Sequence, residues 1–387
     1  MDQAVMRVES CNLYFLQIPL RVSFSHGAKA ERVFSDSVIV RLHSADKDGY
    51  GEAVVRDYVS GSLGSGEDYR REAVRLVSRF VAPLEGRFLS WNEMSRDLAA
   101  ASPESRELPF LCAVETALLD LACKLAGADV FSLLGKVPRC QTVSYGGVLP
   151  ILSGKEAEKY LRYCLQLRLP DIKVKLNGDP DFDSSILDLS RSILGEAFDI
   201  RVDANSSWAV KDGAKLFGLC RQRGVRVVEQ PFDDSAPGAA DAVREARGSG
   251  FLVMADEGAL CSGDIRQLAE AGTYSAVNLR LSKNGGLTRL LDLAEEAREN
   301  GLAYQLGCMV GETGILSALG RVAAALLPSP LYLEGSYDDI LLTENITTRS
   351  MGFGPRGEAP VVRGQGTGYE VSLEKLARLT AAKTSCL

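Results

Sequence analysis

The sequence predicts an α/β protein: a parallel (β/α) barrel preceded by a separate α+β domain. Three observations carry this prediction. From about residue 140 to about 345, short apolar strands alternate with amphipathic helices at roughly the length of one βα unit. Each of those strands ends on a polar residue, as expected where strand ends converge on one mouth. Upstream, residues 1 to about 60 read as strands and hairpins and about 67 to 130 as helices, the order of an α+β domain.

In the first domain, the stretch from Val33 to Leu42 contains an apolar-rich strand, Val38-Ile39-Val40. Asp46-Lys47-Asp48-Gly49 reads as a turn, and Tyr50-Gly51-Glu52-Ala53 continues as strand. Apolar residues at helical spacing make Ala113 to Ala122 the clearest helix.

In the second region the polar strand ends are Lys173 and Lys175, then Asp203, Glu229, Asp256, Arg280, Gln305 and Glu334. Asp171-Ile172-Lys173-Val174-Lys175-Leu176 is the stretch around which they are arranged. Alternation sends both lysines to one face and Ile172, Val174 and Leu176 to the other. Two readings stand. The segment is either a solvated edge strand whose lysines discourage pairing, or a buried strand whose lysines are kept for chemistry. In the second reading burial lowers a lysine pKa toward the range of a general base.

Composition narrows the function. The 387 residues carry 44 basic and 51 acidic side chains, a net charge of −7, with 46% hydrophobic and 25% charged residues. These are the proportions of a globular protein with ample chain for a core. The absence of a basic run argues against nucleic acid. No apolar run is long enough to span a bilayer, and residues 1–20 lack the pattern of a secretory signal. The nine scattered cysteines form no C-x-x-C, which suggests a reducing, cytoplasmic setting.

Asp203, Glu229 and Asp256, at three consecutive strand ends, offer hard oxygen ligands suited to Mg²⁺, with Mn²⁺ as an alternative. Only two histidines occur and no thiols cluster, so zinc is poorly supported. A metal facing two lysines points to one reaction type. The cation binds a substrate carboxylate, a lysine removes the α-proton, and the enediolate is stabilised.

These motifs resemble the enolase superfamily, in its muconate lactonizing enzyme subgroup, over nearly the whole chain. Gly49-Tyr50-Gly51-Glu52-Ala53 is similar to the capping-domain motif, and Ala113 to Leu134 to the helix leading into the barrel. Lys173-Val174-Lys175, Asp203-Ala204-Asn205, Glu229-Gln230-Pro231, Asp256-Glu257 and Lys283-Asn284-Gly285-Gly286 match the barrel motifs in order. The resemblance implies a modified TIM barrel, (β/α)₇β, over residues 131–345. It implies an α+β capping domain over 1–130, completed by a C-terminal segment, 346–387. It further implies Mg²⁺ on Asp203, Glu229 and Asp256, Lys175 as acid/base, Lys173 as its electrostatic neighbour, and a homo-oligomer.

Two departures matter. No histidine follows His43, which excludes the mandelate racemase branch with its late-strand histidine. Where the sixth strand of the subgroup ends in lysine, this chain has Arg280, a poor base because its guanidinium stays protonated. Arg280 therefore argues for single-base chemistry on a small carboxylate, cycloisomerisation or syn β-elimination. Two alternatives remain: an amino-acid or dipeptide epimerase with Lys283 or Arg280 as second base, and a non-catalytic carboxylate-binding or metal-binding relative. Candidate substrate contacts are Phe24, His26 and Tyr58 in the capping loops, Asn205 beside the metal ligands, and Glu312 and Glu334 near the last strand ends.

Overall fold

A computed structural model describes residues 5–24 and 32–387. Its centre is a parallel sheet whose seven strands lie in chain order: Gly147–Leu149, Asp171–Lys175, Asp199–Asp203, Val227–Glu229, Leu252–Ala255, Ala276–Arg280 and Ala303–Gly307. A helix follows each one, from Gly154–Leu167 after the first to Gly314–Leu326 after the last.

The sheet closes through the segment around Leu333. Leu333 forms a parallel bridge to Leu306, and the Gly146 N–H donates to the Leu333 carbonyl at 3.0 Å. The segment read as an eighth strand from Leu331 to Glu334 is thus present as a bridge joining the first and last strands. A sheet closed in this way has no free edge, and active sites of such barrels lie at the strands' C-terminal ends. Gly147–Leu149, absent from the sequence reading, is three residues long and too short to show a period.

The second sheet is antiparallel, in the order Thr380–Ser385, Ser10–Leu16, Val38–Ser44, Lys47–Ala53. The turn in its hairpin is Ala45-Asp46, so Lys47, Asp48 and Gly49 already belong to the strand and not to the expected turn. The C-terminal segment has the helix Leu373–Leu379 and then a strand that pairs with Ser10–Leu16.

Helix Leu108–Ala126 lies directly on the strand Lys47–Ala53, and glycine makes this possible. A Cβ on Gly51 would fall 1.8 Å from the Ala113 carbonyl oxygen, and one on Gly49 2.1 Å from that of Ala117. Between these glycines' neighbours, Glu52 points the other way and reaches the barrel. Its carboxylate accepts hydrogen bonds from the Thr313 N–H and hydroxyl, both at 2.8 Å, at the start of helix Gly314–Leu326. Glu115 does the same for helix Leu287–Glu299, accepting from the N–H groups of Leu287 and Thr288 at 2.8 Å. Both carboxylates satisfy helix N-terminal donors that would otherwise be buried without partners. Among the described residues no helix is long and apolar enough to cross a membrane.

Candidate active site

The strand Asp171–Lys175 is paired on both sides, with Gly147–Leu149 and Asp199–Asp203, and every one of its residues is buried. The solvated-edge reading is therefore excluded. Lys173 and Lys175 point into the barrel. The register sets Lys175 beside Asp203 and Asp203 beside Glu229, so the strand ends bring these groups together without any loop having to carry them.

The two lysines have different surroundings. Lys173 Nζ lies 3.3 Å from Asp203 Oδ2, 3.0 Å from Glu229 Oε2 and 2.9 Å from Glu334. Burial alone would disfavour its charge, but Glu229, Glu334 and Asp203 outweigh burial and hold its pKa above the usual lysine value. The expected lowering by burial does not occur at Lys173, which is a fixed cation. Lys175 Nζ contacts Asp203 Oδ2 at 3.2 Å and donates to Asn205 Oδ1.

Arg280 and Lys283 sit on Asp256 from two sides. Arg280 Nη2 donates to Asp256 Oδ2 and lies 3.5 Å from Glu229 Oε1. Lys283 Nζ donates to the Asp256 carbonyl at 2.6 Å, to Asp256 Oδ1 at 3.0 Å and to the Asn278 carbonyl at 2.6 Å. All three of its N–H bonds are committed, it is 0% exposed, and it does not line the cavity. Lys283, a candidate second base, thus supports Asp256 in this structure and does not face the cavity, and burial holds its pKa below the usual lysine value. Burial works against ionised Asp256, but Arg280 and Lys283 prevail and keep its carboxyl below the usual range. Glu229 is pushed the other way, first by burial and then by the charges of Asp203 and Asp256, although Lys173 opposes them.

Three buried carboxylates at neighbouring strand ends attract cations, and their hard oxygens fit Mg²⁺. In this structure chain cations stand among them: Lys173 between Asp203 and Glu229, and Arg280 Nη2 between Glu229 and Asp256. Among the described residues no three His, Cys, Asp or Glu side chains close on one point. Asn278 and Gln305, from the sixth and seventh strands, donate to Glu229 at 2.6 and 3.0 Å and fix its orientation.

Above these groups lies a cavity of about 120 Å³. Lys173, Lys175, Arg280 and Glu334 form its polar floor. Val22, Leu152, Ile340 and Leu341 form apolar walls, with the rings of Tyr58, Tyr160 and Tyr337. Of the expected substrate contacts, Tyr58 and Glu334 line this cavity. Glu334 is also tied to Arg201 at 2.6 Å and to Lys173, so its charge is already matched. Glu312 does not line the cavity: its Oε1 accepts from the Met309 N–H at 2.7 Å, and burial pushes its pKa up to about 8. Asn205 is also outside the lining and faces Lys175 instead. His26 and the side chain of Phe24 lie outside the described residues.

The sequence reading missed Leu152, Tyr160, Tyr337, Ile340 and Leu341. They come from the loops and helices after the first strand and the closing segment. Position after a strand's C-terminal end was the one signal that could have found them.

A family model, Enolase C-terminal domain-like, matches residues 155–376. The L-Ala-D/L-Glu epimerase of Escherichia coli is 30% identical over 257 residues, 65% of this chain and 75% of that protein. Among solved structures, the dipeptide epimerase from Cytophaga hutchinsonii, complexed with Mg and the dipeptide D-Ala-L-Val, superposes with a TM-score of 0.82. It is 21% identical and covers 99% of this chain and 100% of its own. The 2-chloromuconate cycloisomerase from Rhodococcus opacus 1CP superposes with a TM-score of 0.84 at 22% identity, covering 97% and 100%.

Proposed function

The chain belongs to the enolase superfamily, in its muconate lactonizing enzyme subgroup, and on that premise we propose that it removes the α-proton of a small carboxylate substrate with Lys175 as the base. Asp203, Glu229 and Asp256 would hold Mg²⁺, which would supply positive charge for the substrate carboxylate and for the negative charge that builds there as the proton leaves. Lys173, held protonated by its three carboxylates, adds a second fixed positive charge next to that carboxylate. The apolar walls and the tyrosines favour a substrate with an apolar body and exclude water from the reacting carbon.

The observation that carries this reading is the difference between two lysines. Lys175 lines the cavity, whereas Lys283 is enclosed beneath Asp256 with every N–H bond used. The other lysine on the floor, Lys173, is clamped by three carboxylates. Among the described residues one base is then available, and the reaction is cycloisomerisation or syn elimination, with Arg280 holding an anionic or carbonyl oxygen of the substrate.

A second reading is favoured by the similarity to the Escherichia coli epimerase. An epimerase delivers a proton to the face opposite the one it left, and among the described residues Arg280 lines the cavity where that role would fall. Incubation with candidate carboxylates in D₂O separates the two. Exchange with retained configuration, or product without scrambling, supports the one-base reading. Inversion at the α-carbon by the native enzyme overturns it in favour of epimerisation.

A further inference from the structure

We infer that Arg280 is a tethered counter-ion that occupies the cation position between Glu229 and Asp256, and that a divalent ion binds only by expelling it into the substrate cavity. The inference rests on the metal-dependent reading above and adds a regulatory role for this side chain.

The geometry supports it from both ends. At one end, Nη2 alone reaches two of the three carboxylates, donating to Asp256 Oδ2 and lying 3.5 Å from Glu229 Oε1. A divalent ion needs those same oxygens. The guanidinium and the ion cannot share them, because both are positive and both require the lone pairs. Asp203, Glu229 and Asp256 already face Lys173, Lys175, Arg280 and Lys283. A divalent ion that took these oxygens with the guanidinium in place would bring two positive charges into direct contact, which is costly.

At the other end, Arg280 is the cation best placed to leave. Lys283 is enclosed by three acceptors, and Lys173 is held by three carboxylates, Asp203, Glu229 and Glu334. Arg280 has one strong partner. Among the described residues its Nη1 meets only the Met309 sulfur at 3.5 Å, a weak acceptor, and its buried Nε meets no hydrogen-bond acceptor. Its side chain already borders the cavity. Expulsion therefore carries five N–H donors toward the place where a substrate oxygen would lie. Metal binding and assembly of the anion site become one event, so each ligand should raise the affinity for the other.

The test uses Mn²⁺ as the probe, with substrate-free enzyme and binding followed by electron paramagnetic resonance. Arg280→Met should bind Mn²⁺ roughly tenfold more tightly than the wild type, the order expected when one charge-assisted hydrogen bond no longer has to be broken. In the wild type, the guanidinium resonance of Arg280, assigned by its loss in Arg280→Met, should shift when diamagnetic Mg²⁺ is added. Circular dichroism establishes that the variant is folded. Equal or weaker Mn²⁺ binding by a folded Arg280→Met, or an unmoved guanidinium signal at saturating Mg²⁺, overturns the inference while leaving the metal-dependent reading intact. Failure of both proteins to bind Mn²⁺ overturns that reading and the inference with it.

Discussion

Lys173 and Glu334 meet at 2.9 Å across the seam where the barrel closes. Lys173 belongs to the second strand, and Glu334 follows Leu333, the residue that bridges Leu306 and accepts from Gly146. The same carboxylate holds Arg201 at 2.6 Å. One buried carboxylate thus keeps two interior cations charged and ties the closing segment to the second and third strands. Burial opposes the ionised form of Glu334, but Lys173 and Arg201 outweigh it and lower its pKa.

Glu334→Gln tests this pairing. The variant keeps the shape and loses the charge, leaving Lys173 and Arg201 short of a partner inside the barrel. We expect a loss of about 3–5 kcal/mol in denaturant unfolding, the range for breaking a buried pair by removing one member. The pH dependence has a definite sign. The pKa of Lys173 is raised in the folded state, so its contribution is fully present below the unfolded value of about 10.4 and is lost as pH rises through the higher folded value. An unfolding free energy unchanged by the substitution would show that the seam does not depend on this pair.

Lys175→Ala tests the assignment of the base. Turnover should fall by about 10²–10⁴, as for loss of a general base, with the melting temperature little changed. Lys283→Ala should behave in the opposite way. It removes an ammonium from beneath Asp256 and should lower stability before it touches the chemistry. Near-normal turnover in Lys175→Ala would remove it from the mechanism.

The contrast between these lysines also marks how far the sequence was legible. The strand ends could be read because a parallel barrel repeats one unit, and a polar residue closing an apolar strand is a local pattern. Lys175, Asp203, Glu229, Asp256 and Arg280 came from that pattern, and cross-strand register brings the first three together. Which lysine faces the cavity was not legible. It depends on where Asp256 and Asn278 put their carbonyls, and that is set by packing between two strands and a short helix. The apolar walls were hidden for a related reason. Leu152, Tyr160, Ile340 and Leu341 resemble ordinary core residues until the fold puts them over the barrel mouth. The C-terminal strand was hidden because Thr380–Ser385, with its alanines, threonine and serine, carries little apolar alternation and draws its order from pairing with Ser10–Leu16.

Glu312 gives a pH signature apart from the reacting groups. Burial raises its pKa to about 8, against about 4.3 for a free glutamate. Between those values the folded state binds a proton that the unfolded state has released. Stability contributed by protonated Glu312 is therefore present at low pH and lost as pH rises through about 8. Glu312→Gln keeps an acceptor for the Met309 N–H and removes the titration. Its melting temperature should exceed the wild type's increasingly from pH 6 to pH 9, by about 2 °C or more at the upper end. Parallel pH profiles for the two proteins would mean that Glu312 is not held protonated in the fold.

The capping sheet reaches the site through Gly51, which gives the last prediction. Helix Leu108–Ala126 can lie on the strand Lys47–Ala53 only because nothing projects from Gly51, where a Cβ would fall 1.8 Å from the Ala113 carbonyl oxygen. The strand and the helix each carry a carboxylate into the barrel, Glu52 to Thr313 and Glu115 to Leu287 and Thr288. Gly51→Ala has to separate strand from helix, since a backbone oxygen cannot rotate away as a side chain can. At least one of the two carboxylates must then lose its grip on a helix N-terminus. Helix Leu287–Glu299 begins three residues after the short helix Leu281–Asn284, which carries Lys283, and helix Gly314–Leu326 begins beside Glu312. We therefore expect an overpacking cost of about 1–3 kcal/mol in unfolding. We also expect a fall in turnover measured on the folded fraction, because Lys283, the support beneath Asp256, is displaced. Glu52→Gln separates the two effects. It keeps the strand on the helix while replacing one carboxylate acceptor of the Thr313 donors with an amide, so it should lower stability less than Gly51→Ala. If Gly51→Ala is as stable as the wild type, the strand and helix can part without cost, and the route from capping sheet to site does not run through this contact.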